Sequence, residues 1–165
     1  MSKTEELLRT AFAGESQTNR RYLAFAARAD QEGFPQVARF FRGAAASETV
    51  HAHNFLKALQ GVRSTKENLQ EAISVETAAY KKRYPEIIKV AKEEGNEEAE
   101  TFFRYALESE RIHAQLMQKF LDTLDEPQEN YAYHICSGCG HTVEEEPPEA
   151  CPVCGCSAGH YMRTD

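Results

Sequence analysis

Nowhere does the chain hold 18 consecutive apolar residues, so no segment is expected to span a membrane. Positive charge is in short supply. The 19 Lys and Arg against 26 Asp and Glu leave a formal net charge of −7, which argues against nucleic acid as a partner. The opening Met1-Ser2-Lys3-Thr4-Glu5-Glu6 lacks the features of a secretory leader, and a cytoplasmic location is expected. Cysteine is missing from the first 135 positions, and all five lie between Cys136 and Cys156. In a reducing compartment, this clustering suits a metal site better than a disulfide framework. The 165 residues have room for one sizeable core and one small module.

What is present is a helical stripe and its echo: Phe41-Ala44-Glu48-His51-Phe55, then Phe103-Ala106-Glu110-His113-Met117. Spacings of three and four put each set on one helix face. An apolar stripe interrupted by a carboxylate and an imidazole needs a partner for those groups, because an unpaired buried charge costs several kcal/mol (order of magnitude). Two Glu-x-x-His turns facing each other in a bundle can hold two metal ions.

Ser2 and Glu5 read as a capping box opening a helix that runs to about Glu32, with Leu8, Phe12, Glu15, Asn19, Tyr22 and Ala26 on one face. Gly33 ends it, and Pro35 suits the first turn of the next helix, which ends near Gly61. Ser64 and Glu67 form a second capping box. A third helix follows, with Leu69, Ile73, Glu76, Tyr80 and Ile87 in phase, kinked or split by Pro85. Gly95 closes it, and Asn96 caps a fourth helix running to about Leu124.

The halves repeat. Glu32-Gly33, Phe40-Phe41-Arg42, Glu48 and His51 recur 62 positions later as Glu94-Gly95, Phe102-Phe103-Arg104, Glu110 and His113. Ala11 and Glu15-Ser16 recur 61 positions later as Ala72 and Glu76-Thr77. The expected fold is therefore an all-α four-helix bundle of two pseudo-symmetric hairpins. At a rise of about 1.5 Å per residue, Glu15, Glu48, Glu76 and Glu110 all sit roughly 25 Å from their hairpin turns.

These four carboxylates with His51 and His113 offer hard oxygen and borderline nitrogen donors suited to iron or manganese. Glu48 and Glu110 would bridge two ions. Glu15 and His51 would complete one ion, Glu76 and His113 the other. Tyr22 and Tyr80 or Tyr84 could hydrogen-bond the ligands. Tyr22 reads equally well as a half-buried aromatic. A plain bundle with solvent-facing charges would account for one Glu-x-x-His turn, but not for two in register.

The composition changes after residue 124. Residues 125–132 read as a linker, and 133–165 as a domain too small to fold without a metal. Cys136-Ser-Gly-Cys139-Gly and Cys151-Pro-Val-Cys154-Gly form two knuckles with the spacing of a tetrahedral thiolate site. Zinc there would be structural, and iron would carry single electrons. Cys156 is read as a free thiol, and Glu144-Glu145-Glu146 as a solvated loop. His134, His141 and His160 are given no ligand role.

Taken together, Ala13-Gly14-Glu15-Ser16-Gln17 with Asn19-Arg20-Arg21-Tyr22, the two Glu-x-x-His turns, Tyr84-Pro85-Glu86 and the knuckles resemble the rubrerythrins over nearly the whole chain. The resemblance implies a ferritin-like di-iron bundle with a rubredoxin-like tail holding one further iron. It implies a homodimer with electron transfer from one subunit's tail iron to the other's di-iron site. It also implies reduction of hydrogen peroxide to water in oxidative-stress defence, with electrons from an external NAD(P)H-dependent reductase or a rubredoxin. Glu15, Glu48, His51, Glu76, Glu110, His113 and Tyr22 are then the catalytic set.

One position departs. Rubrerythrins carry another glutamate three residues after the counterpart of Glu76, and here Ala79 stands there. Thr18, its pseudo-symmetric counterpart, does not replace it. In the family that glutamate exchanges with the histidine matching His51, so His51 is expected to stay bound in both oxidation states here. Two other readings remain open: a ferroxidase or O2-reducing oxidase on a six-ligand site, and a non-enzymatic metal-binding protein with zinc in the knuckles. Zinc or manganese could also replace iron.

Overall fold

The computed structural model describes residues 1–127 and 129–164. Gln128 of the expected linker and Asp165 of the expected tail domain lie outside the described residues. The chain forms two compact units, Met1–Arg63 and Ser64–Asp165.

In the first unit, α1 (Lys3–Gln31) begins where the Ser2 hydroxyl accepts the Glu5 N–H at 3.1 Å. The Glu5 carboxylate turns to Arg9 at 3.0 Å instead of back to Ser2. Gly33, at φ +80°, makes the turn into α2 (Pro35–Ala58). A proline in the first turn forfeits only an N–H that has no helical partner. The helix stops three residues before Gly61, where Gln60 takes a left-handed conformation at φ 53°.

Small residues hold this hairpin together. Ala26 and Ala29 on α1, and Ala38, Ala45 and Ala52 on α2, are the buried positions. The α2 alanines recur every seven residues, which is two turns, and let the backbones approach closely. Asn19 Nδ2 donates to the Ala45 carbonyl at 2.7 Å and to Thr49 Oγ1 at 2.9 Å, bonds worth about 1 kcal/mol each. The predicted stripe Phe41-Ala44-Glu48-His51-Phe55 lies beside this seam, half-buried except for the more exposed His51. The bulky residues flank the contact because alanines fill it.

In the second unit, α3 (Thr65–Ala78) opens on a complete Ser64/Glu67 capping box. Pro85 splits the expected third helix and lies in the first turn of its second part, just after a wider turn. Residues Ala79–Arg83 form a π turn that leads into α4 (Tyr84–Glu93). A proline inside an α-helix lacks a donor and clashes with the carbonyl four residues back. The wider turn, in which the Tyr84 N–H bonds to Ala79 O, accommodates that conflict. Gly95, at φ +70°, ends α4, and Asn96 caps α5 (Glu97–Asp122) by accepting the Ala99 N–H at 3.0 Å. Both α3 and α4 pack on α5, with Ile88 and Ala91 of α4 buried.

The tail is a three-stranded antiparallel sheet: β1 (Tyr133–Cys136), β2 (Thr142–Glu144) and β3 (Tyr161–Thr164), in the order β2-β1-β3. Glu144 was expected in a solvated loop. It lies instead at the end of β2, opposite Tyr133 in register. Lys119 Nζ of α5 donates to both its oxygens at 2.9 Å, and the Tyr131 hydroxyl donates to the same carboxylate. Strand pairing brings Glu144 over the helix, which a run of three acidic letters cannot reveal. Glu145 and Glu146 are exposed.

Candidate metal centres

Each unit carries one Glu-Glu-His triad. Glu15 on α1 joins Glu48 and His51 on α2, and Glu76 on α3 joins Glu110 and His113 on α5. Within each triad the donor atoms lie within 4.8 Å of one another. Helical spacing explains two of the three members of each group, since residues three apart share a face. Accordingly His51 Nδ1 lies 3.0 Å from Glu48 Oε2, and His113 Nδ1 lies 3.1 Å from Glu110 Oε2. The third member comes from the neighbouring helix of the same hairpin.

The electrostatics ask for a cation. A hydrogen bond to Glu48, burial and the repulsion of the Glu48 charge raise the Glu15 carboxyl above its ordinary value. The Glu48 carboxyl is lowered, by its bond to Glu15 and then by its bond to His51. Glu76 is pushed up to about 7, first by burial and then by its bond to Glu110 and that carboxylate's charge. Crowded carboxylates keep a shared proton in place of a metal. Oxygen and imidazole donors at this spacing fit a divalent first-row ion.

The cysteines gather as expected from their spacing. Cys136, Cys139, Cys151 and Cys154 offer four sulfurs within 4.8 Å of one another. Cys136 and Cys154 Sγ are 3.6 Å apart, and Cys139 and Cys151 Sγ are 3.5 Å apart. A tetrahedron with metal–sulfur bonds of about 2.3 Å has edges of roughly 3.8 Å, so the cage is preformed to within a few tenths of an ångström. Gly140 and Gly155, at φ +82° and +77°, turn the chain after each second cysteine. The His141 N–H then points at Cys139 Sγ, at 3.5 Å.

Burial raises the Cys136 and Cys139 thiols. Burial opposes the Cys151 thiolate too, but the Tyr161 hydroxyl and the backbone N–H groups of Cys154 and Val153 prevail, bringing it down to about 6. Four thiolates together therefore need a metal charge. Cys156 is a free thiol whose sulfur lies against Gly138.

The tyrosines make ring contacts. The Tyr22 ring packs on Phe41 at 5.8 Å and Phe25 at 6.3 Å. Tyr80 and Tyr84 lie beneath the cationic ends of Lys81 and Arg83. Of the histidines given no ligand role, His141 is buried with Nδ1 2.7 Å from the Tyr161 hydroxyl, and His160 Nδ1 lies 3.2 Å from Ser157 Oγ. Sequence reasoning missed Ser109, Thr142 and Tyr161, which touch the knuckles or the second triad. Their letters carry no periodic signal.

Comparison with known proteins agrees with this assembly. The family model described as Rubrerythrin matches residues 6–121. The chain is 36% identical to Rubrerythrin-2 of Clostridium acetobutylicum, covering 92% of this chain and 91% of that one. It is 34% identical to the rubrerythrin of Porphyromonas gingivalis, covering 99% and 92%. Among solved structures, partially reduced nigerythrin superposes with a TM-score of 0.60 at 28% identity, covering 99% of this chain and 88% of that one. The fold is ferritin-like and mostly helical, with a small rubredoxin-like tail carrying the cysteine cluster. The matched helices with their two acidic triads, and the cysteine cage behind them, place this chain in the rubrerythrin family, whose members are iron-binding oxidoreductases.

Proposed function

We propose that this chain is a peroxidase of oxidative-stress defence, reducing hydrogen peroxide to water at a di-iron centre that is recharged from a third iron in the tail. Glu15, Glu48 and His51 would hold one iron of the pair, and Glu76, Glu110 and His113 the other. Cys136, Cys139, Cys151 and Cys154 would hold the third. The functional division is residues 1–124, a linker 125–132 and a tail 133–165, working as a cytoplasmic homodimer. The electron source would be an NAD(P)H-dependent reductase or a rubredoxin.

When bound, the paired irons would supply Lewis acidity and two electrons for breaking an O–O bond. The chain's residues do the rest. Glu48 and Glu110 set a carboxylate oxygen beside each histidine donor atom, and Glu15 and Glu76 add the negative charge that retains the ions. The tail's backbone N–H groups and the Tyr161 hydroxyl stabilise thiolate charge. The observation that carries this reading is the occurrence of two Glu-Glu-His triads and a four-sulfur cage in one rubrerythrin chain.

A second reading, oxygen reduction or ferrous-iron oxidation, is favoured by Ala79. That residue is 1% exposed and puts a methyl group where the resemblance calls for a seventh carboxylate. Anaerobic stopped-flow mixing of the fully reduced protein with peroxide, and separately with O2, separates the two. Peroxide is expected to bring up the red ferric–thiolate colour faster than O2. The reverse order would reassign the chain to oxygen chemistry.

A further inference from the structure

Thr142 opens β2, three residues beyond Cys139, and its hydroxyl touches two groups. Thr142 Oγ1 donates to the Gly140 carbonyl oxygen at 3.1 Å and lies 3.0 Å from His113 Nε2. A hydroxyl has one hydrogen and a carbonyl can only accept. With that hydrogen committed to Gly140, the threonine oxygen accepts from the ring, so Nε2 carries the proton. In the form that binds a metal ion, the ring then presents its lone pair at Nδ1, 3.1 Å from Glu110 Oε2. Two electron-pair donors at that distance call for a cation between them.

We propose that Thr142 is a positioning residue that sets the tautomer and ring plane of His113, making Nδ1 its metal-binding atom. This rests on reading His113 as a ligand. The threonine is itself held in place. Ser109 Oγ, one helical turn before His113, donates to the Cys139 carbonyl oxygen at 3.0 Å. A Cβ on Gly140 would lie 3.4 Å from that same Ser109 oxygen, and the φ of +82° already favours glycine there. The knuckle therefore seats on α5 beside the second triad. His51 makes the matching contact to Glu48, but its side chain is 50% exposed against 34% for His113. The two histidines are thus not equivalent.

The test uses the full-length protein loaded with zinc, which is diamagnetic, and 15N-histidine NMR. Zinc should shift the His113 Nδ1 resonance. In the wild type and in Thr142→Ser, the Nε2–H should exchange slowly with solvent. In Thr142→Val it should exchange at least about ten-fold faster, with zinc affinity at that triad about ten-fold lower or more, the usual size of such an effect. Thr142→Ala is the substitute if valine disturbs the tail. Wild-type exchange and affinity in the hydroxyl-free variants, with the zinc shift intact, would overturn the positioning role alone. Absence of any zinc shift at Nδ1 would overturn the ligand reading and this inference together.

Discussion

Ser109 donates its hydroxyl proton to the carbonyl of Cys139, so the helix residue just before Glu110 supports a cysteine of the sulfur cage. One side-chain bond joins the sequence neighbourhoods of two candidate metal centres. Ser109 is 5% exposed, so its hydroxyl has little access to water as an alternative partner.

Ser109→Ala should therefore destabilise the seat of the knuckle. Leaving the carbonyl unpaired costs about 1–3 kcal/mol. Chelator-driven metal release from the cysteine site should quicken, while unfolding of α1 and α2 stays unchanged. Equal release rates in variant and wild type would contradict the contact.

The metal-free protein should lose stability as pH rises from about 5 to 8. The Glu76 carboxyl lies at about 7 in the folded chain against an ordinary 4.5. A group raised on folding contributes its stability fully below its unfolded value and loses it as pH climbs through the folded one. Burial, the largest cause, acts on the charged form, so divalent metal should offset the loss. Thermal melts across this range, with and without Mn(II), measure it. A melting temperature that rises with pH in the metal-free protein would refute the assignment.

Stripping metal from the cysteines should unfold the tail and spare the helices. With Cys136 and Cys139 raised by burial, the empty cage cannot hold four thiolates. Hydrogen exchange should show β1 amides unprotected after chelation and α2 amides protected as before. Cys151→Ser should likewise abolish the red colour of the iron-loaded tail.

Ala79→Glu should be costly without metal and tolerated with it. The position is 1% exposed, and an unpaired carboxylate buried there costs several kcal/mol (order of magnitude). Iron would give it a partner. The gap in melting temperature between loaded and metal-free protein should widen relative to wild type. His51 should remain bound in a crystal of the oxidised wild-type protein and become displaceable in the variant. An unchanged gap would mean that the side chain points away from the metals.

Much of this architecture was legible as periodicity. Glu48 with His51, and Glu110 with His113, meet because residues three apart must share a helix face, and Gly33, Gly95, Ser64 and Asn96 announce their turns and caps by chemistry. The contact seam was not legible, because Ala38, Ala45 and Ala52 are inconspicuous beside Phe41 and Phe55. Pro85 signalled a disturbance without saying that a π turn would absorb it. Glu144, Ser109 and Thr142 acquire their partners only when strands dock on a helix, and no local rule connects Ser109 to Cys139 thirty positions away.

The tail meets α5 at Ser109, His113 and Lys119, three points along one continuous helix. At about 1.5 Å per residue they span roughly 15 Å. A rod fastened at three points works as a gauge. The separation between the sulfur cage and His113 of the same chain is thereby set by helix pitch, with no swinging arm to vary it.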